Sequence, residues 1–103
     1  MKERRTLHRV PVDIPATASG APGRLTDLST AGACLALDGV YREGTELTIR
    51  FGPIDGILGK ELALPAMVMW SDGKKHGLFF IEIEDDDLGC LAHAVDELEK
   101  EEE

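Results

Sequence analysis

Val10-Pro11-Val12-Asp13-Ile14-Pro15-Ala16-Thr17-Ala18 alternates along its whole length: Val10, Val12, Ile14, Ala16 and Ala18 share one face, and Pro11, Asp13, Pro15 and Thr17 the other. A period of two is the mark of a half-buried strand. Both prolines fall on one face, and proline donates nothing to a ladder, so this strand is expected at an edge or interrupted by bulges. The pattern recurs outward from it. Ser19-Gly20-Ala21-Pro22-Gly23 reads as a turn, followed by a short strand over 24–27 and another over 33–37 that ends at Asp38-Gly39. Residues 46–51 set Leu47, Ile49 and Phe51 on one face, and Gly52-Pro53-Ile54-Asp55-Gly56 breaks the chain. Residues 61–71 are the longest candidate, with Leu62, Leu64, Ala66, Val68 and Trp70 alternating against Ala63, Pro65, Met67 and Met69. Ser71-Asp72-Gly73 turns that strand back into 75–83 as a hairpin. Six short strands separated by Gly/Pro turns are the pattern of a small all-β antiparallel barrel or sandwich.

The period changes at Asp85. Leu88, Leu91, Ala92, Val95 and Leu98 recur at helical spacing, and Asp85, Asp86 and Asp87 suit the positive end of a helix. The expected helix lays this stripe over the β-structure and runs out in Glu99-Lys100-Glu101-Glu102-Glu103. At 103 residues the chain supports one core. Its organisation reads as an arm over 1–9, β-structure over 10–84 and an acidic helix over 85–103. No apolar run approaches the roughly 20 residues of a membrane span, and no apolar signal core opens the sequence. Cys34 and Cys90 are 56 residues apart with no metal or redox spacing, so a cytoplasmic protein with two reduced thiols is expected.

The formal net charge is −9 and the pI about 4.7, which disfavours a general DNA or RNA binder. The charge is uneven: residues 1–24 carry five basic and two acidic side chains, the remainder six basic and eighteen acidic. Within the basic end, Arg5-Thr6-Leu7-His8-Arg9 places two guanidiniums four residues apart with Arg4 beside them. Further on, Asp27-Leu28-Ser29-Thr30-Ala31-Gly32 offers a carboxylate, a hydroxyl and a glycine at fixed offsets. Guanidiniums grip phosphates and the O6/N7 edge of guanine, and a carboxylate accepts from the N–H groups on the other edge of that base. The two islands together describe a guanine-nucleotide pocket, whereas the arginines alone read equally as a solvated terminal run or a polyanion-binding arm.

Catalytic chemistry has little to build on. His8, His76 and His93 are scattered without a carboxylate or cysteine at triad or metal spacing, Ser29 lacks a nucleophile-elbow context, and zinc, calcium and P-loop patterns are absent. No enzyme, metal or cofactor is expected.

The islands closely resemble the signature of the PilZ family, an RxxxR segment followed some 20–30 residues later by [D/N]xSxxG. Arg5 and Arg9 match the first motif, and Asp27, Ser29 and Gly32 the second. The hairpin carrying Trp70 and Gly77-Leu78-Phe79-Phe80 is similar to that family's fifth and sixth strands. The resemblance implies a six-stranded antiparallel β-barrel with a C-terminal α-helix that binds the bacterial second messenger cyclic di-GMP and passes the signal to a protein effector. It further implies that Arg5 and Arg9 grip phosphate and guanine from a flexible arm, that Asp27 and Ser29 hydrogen-bond guanine from the barrel, and that Gly32 permits a tight turn. Arg4 is either a solvated neighbour or, as in relatives with an arginine there, the mark of an intercalated two-molecule ligand. Thr6 stands where many relatives carry another arginine. Trp70 is either a core residue at the barrel's end or an aromatic beside the ligand. Relatives that lose the motifs act as protein adapters that ignore the nucleotide, the alternative reading for this chain.

Overall fold

Each expected strand forms, and the six close on one another. The computed structural model describes residues 9–102. Its elements are β1 (Val10–Ala18), β2 (Ala21–Leu28), β3 (Gly32–Leu37), β4 (Glu46–Phe51), β5 (Leu62–Asp72), β6 (Lys75–Phe80) and α1 (Asp85–Glu102). The strands make a closed antiparallel barrel in the order β1-β2-β3-β6-β5-β4, so the choice between barrel and sandwich resolves to the barrel.

Two strand boundaries differ from the sequence reading by three residues, and the rest by at most one. β2 begins at Ala21 rather than 24, because the turn needs only Ser19 and Gly20, both in the left-handed region at φ 47° and 93°. That is the mirror-image two-residue hairpin whose twist matches its flanking strands. β6 stops at Phe80 rather than 83: after Ile81 N–H donates to the Pro65 carbonyl, Glu82 takes φ 50° and the chain leaves the barrel.

The prolines of β1 meet both of their expected conditions. A bulge interrupts its pairing with β2 between Pro11 and Ile14, and its pairing with β4 covers only Ala16, Thr17 and Ala18. Pro11 and Pro15 therefore lie in the half of β1 that has a ladder on one side alone.

The inward faces of all six strands form a core of Leu, Ile, Val and Phe, with Leu25, Leu28, Leu35, Ile49, Leu62 and Leu64 fully buried. α1 packs on β1 and β5 and closes this core with Leu91, Ala94, Val95 and the half-buried Leu98. Its buried stripe is narrower than expected, since Leu88 and Ala92 are exposed and Ala94 takes the inner position. At the acidic end Lys100 bridges Glu97 and Asp96, and the hydrogen bond it donates to Glu97, then the charge of that carboxylate, hold the lysine above its ordinary pKa.

His76 proves more than an ordinary strand residue. It is fully buried; its Nε2 accepts the Tyr41 N–H at 3.1 Å and its Nδ1 donates to the Lys74 carbonyl at 3.1 Å. Tyr41 packs edge-on against the ring at 5.8 Å between centroids. The imidazole thus ties the β3–β4 connection to the β5–β6 turn. Replacing it by leucine leaves the Tyr41 N–H unmatched, while the Lys74 carbonyl keeps the Leu37 N–H at 3.0 Å, so His76→Leu is expected to cost about 1–3 kcal/mol in urea denaturation. No measurable loss would mean water or a shifted loop satisfies the Tyr41 N–H.

Candidate functional site

The segment between β2 and β3 is a self-contained hydrogen-bonded ring. Ser29 N–H donates to the Gly32 carbonyl at 2.8 Å, and the Ser29 hydroxyl oxygen accepts from the N–H groups of Ala31 at 3.1 Å and Gly32 at 3.0 Å. The same hydroxyl donates to the Gly32 carbonyl at 3.2 Å. Ser29 is only 2% exposed. In this structure its hydroxyl works within the loop, as short polar side chains do where a chain must turn without a ladder.

Gly32 starts β3 opposite Phe79 of β6. A Cβ on Gly32 would lie 2.0 Å from the Leu78 carbonyl oxygen. The close approach that requires glycine here is made by the neighbouring strand, and Ala31 O reinforces it by accepting the Phe80 N–H at 2.9 Å. Ser29 and Gly32 together dock the motif loop onto β6.

Asp27 faces the opposite way from this buried ring. Leu25 is buried in the barrel, and strict alternation would send Asp27 inward with it. A bulge at the β2–β3 pairing between Leu25 and Asp27 inserts Thr26 and re-aims the carboxylate outward. There Arg9 Nη1 donates to Asp27 Oδ1 at 2.8 Å, with the two side chains 47% and 28% exposed. Arg9 stands immediately before β1, and Pro11 is paired with Asp27, so the β1–β2 register brings the two together. Only one of the five guanidinium donors is taken up by this bond. Arg4 and Arg5 lie outside the described residues.

Trp70 also departs from its expected face. β5 alternates faithfully as far as Val68, but a bulge between Val68 and Trp70 turns the indole outward, where it is 44% exposed. Neither a core position nor the inward stripe describes it. The indole lies over Gly77 of β6, its cross-strand partner: a Cβ on Gly77 would fall 2.1 Å from the indole Nε1.

The register joins these residues in one row. Asp27 pairs with Cys34, Cys34 with Gly77, and Gly77 with Trp70, across β2, β3, β6 and β5. Three strand spacings separate the ends, about 14 Å along the barrel wall. A carboxylate with its arginine stands at one end, an indole at the other, and the small residues Cys34 and Gly77 lie between. Both ends reach this outer face because a bulge reverses the alternation just before them. Gly77 is the residue of the row that motif reading passed over; its signal was a lone glycine inside a strand, which marks a bulge or a close approach. Both cysteines are free, Cys34 buried in this row and Cys90 half-buried on α1.

The Arg9–Asp27 pair thus stands beside a polar loop on the outer wall of a six-stranded barrel. The PilZ domain profile matches residues 1–97, and the chain belongs to the PilZ domain family. The crystal structure of the PilZ domain of CeSA from a cellulose-synthesizing bacterium is similar at 25% identity and a TM-score of 0.71, covering 89% of this chain and 98% of that one. The Bacillus subtilis inhibitor of motility, MotI/DgrA, shares the fold at 17% identity and a TM-score of 0.77 over 92% of this chain, which spans 50% of that protein. An uncharacterized Legionella protein, Lpg0364, shares it at 15% identity and a TM-score of 0.63, over 92% of this chain and 97% of that one. No curated protein matches the chain.

Proposed function

We propose that this chain is a receptor for cyclic di-GMP, without catalytic activity of its own, that reports the nucleotide to a protein effector in the cytoplasm. The observation that carries this reading is the outward-facing Arg9–Asp27 pair at 2.8 Å, set at the junction of the arm with the barrel. Arg9 keeps four N–H donors for phosphate or the guanine Hoogsteen edge, and Asp27 keeps a second oxygen for the guanine N1 and N2 groups. Arg5, one motif step upstream, supplies a second guanidinium. Ser29 and Gly32 serve by holding the loop after Asp27 against β6. Arg4 adds charge for a second stacked ligand molecule. The indole of Trp70 offers a surface for base stacking at the far end of the row.

The ligand phosphates draw the arginines of residues 1–9 onto the barrel, and the altered surface is what the effector reads. The size of that response is set by the difference in nucleotide affinity between the two states of the arm. Titration of the chain with cyclic di-GMP is expected to release heat and to change the emission of Trp70, the sole tryptophan. Competition by cyclic di-AMP at equal concentration, or the absence of heat, would overturn the assignment.

A second reading is a protein adapter of the same fold. It is favoured by the exposure of Met69 and Phe79, 53% and 52%, next to Trp70 on the β5–β6 face. MotI/DgrA, which shares the fold, is described as an inhibitor of motility. A partner captured equally well by wild type and Asp27→Ala, with and without nucleotide, would select this reading. Among the described residues no helix is long and apolar enough to cross a membrane.

A further inference from the structure

We infer that Gly77 is a positioning residue for the nucleotide site: it lets the Trp70 indole lie flat on β6, with one ring face on the barrel wall and the other turned outward for a base. This rests on the cyclic di-GMP reading and adds to it a residue outside both motifs.

The bulge after Val68 carries Trp70 to the outer face, but a bulge alone sets only the direction of the Cα–Cβ bond. The lie of the ring depends on what stands opposite. Any side chain at position 77 would occupy the space the indole now fills, since a Cβ there would sit 2.1, 2.3 and 2.7 Å from its Nε1, Cε2 and Cδ1. All three close atoms belong to the five-membered ring, so that ring rests directly on the glycine backbone. Gly77 is itself buried while Trp70 is 44% exposed, which means the indole covers the glycine and leaves part of its own surface to solvent.

The next residue in the row, Cys34, is small and buried at 7%. Within the row, the residues between Trp70 and Asp27 are the small Gly77 and Cys34 alone. A planar ligand gripped at Arg9 and Asp27 extends along this floor towards the open ring face.

The two site glycines differ in what a methyl group would strike. At Gly32 it meets the backbone of Leu78, which cannot move without disturbing the β3–β6 ladder. At Gly77 the three nearest atoms all belong to a surface side chain, which can swing away. Gly77→Ala is thus expected to leave the barrel folded and to lift the indole off the wall.

The test combines Gly77→Ala, Trp70→Ala and the double variant. In Gly77→Ala the tryptophan emission should shift to longer wavelength and acrylamide quenching should rise, both without ligand. Cyclic di-GMP affinity should fall about tenfold or more in Gly77→Ala and to a similar extent in Trp70→Ala, as expected for a lost stacking contact. The double variant should bind no more weakly than Trp70→Ala alone, because glycine acts only through the indole. If Gly77→Ala fails to fold, the double variant should fold, since removing the indole removes the clash. Unchanged emission, unchanged affinity in Gly77→Ala, a further loss in the double variant, or a double variant that remains unfolded would each overturn the inference. Absence of binding by the wild type overturns the receptor reading instead, and the ligand-free emission comparison then tests the placement of the indole alone.

Discussion

If the chain binds cyclic di-GMP as proposed, Arg9→Ala is expected to lower the affinity by about a hundredfold, which isothermal titration beside the wild type measures. The magnitude follows from the loss of a planar, charge-assisted donor set to phosphate and guanine, roughly 3 kcal/mol. The fold is untouched by comparison. The pair with Asp27 is about half exposed on the arginine side, so its removal should cost no more than about 1 kcal/mol of stability. Binding and stability therefore separate in this variant, and a thermal melt run alongside distinguishes a lost contact from a damaged barrel. Arg9→Lys should recover little, because an ammonium cannot span two acceptors in one plane. Since Arg9 and Asp27 touch, their single losses should exceed the loss in Arg9→Ala/Asp27→Ala when summed naively. Full affinity in Arg9→Ala would remove the nucleotide site from this end of the barrel.

Gly32→Ala carries the largest expected effect on stability, about 3 kcal/mol or more. The added methyl would lie 2.0 Å from the Leu78 carbonyl oxygen, and the strand bearing that oxygen is locked to β3 by five consecutive residue pairs. Relief requires β3 and β6 to part, and with them the loop ring built on Ser29. For a domain of this size the melting temperature should fall by about 12 °C or more. Circular dichroism melts and urea denaturation both read it. A melting temperature within a few degrees of the wild type would mean that β6 yields far more easily than its pairing suggests. Gly77→Ala provides the contrast: of two glycines on adjacent strands, the one meeting backbone should cost much stability and the one meeting a side chain little.

The fold was legible because alternation survives most of each strand. β1, β4 and β5 could be placed nearly to the residue, since Leu47, Ile49, Phe51 and Leu62, Leu64, Ala66, Val68 keep their period to the end. What alternation could not convey was where it breaks. Three bulges interrupt the ladders, at Val12–Asp13, Thr26 and Met69, and the last two change which side the following residues face, whereas Val10, Ile14, Ala16 and Ala18 stay on the buried face across the first. Asp27 and Trp70 follow two of them. A side chain meant for the outer wall at those points needs an extra residue, and the extra residue has no signature in hydrophobic period. The motif positions were legible as chemistry but not as a division of labour. Arg9 and Asp27 stand on the surface, whereas Ser29 and Gly32 are buried and engaged with the backbone around them. His76 escaped notice because a lone histidine on an alternating strand looks the same whether or not a distant loop supplies its Tyr41 partner.

The one-sided half of β1 has a mechanical consequence. From Val10 to Pro15 this strand is joined to β2 alone, and β4 takes hold only at Ala16. Arg9 and Asp27 therefore ride on a single two-stranded ribbon, anchored to the rest of the barrel through β3 and at the Ala16 clasp. On the proposed nucleotide reading, a pull exerted by phosphates on Arg9 would be delivered first to the strand that bears the carboxylate, so both halves of the grip would move together and keep their spacing under load. The prolines keep other strands from adding to this edge.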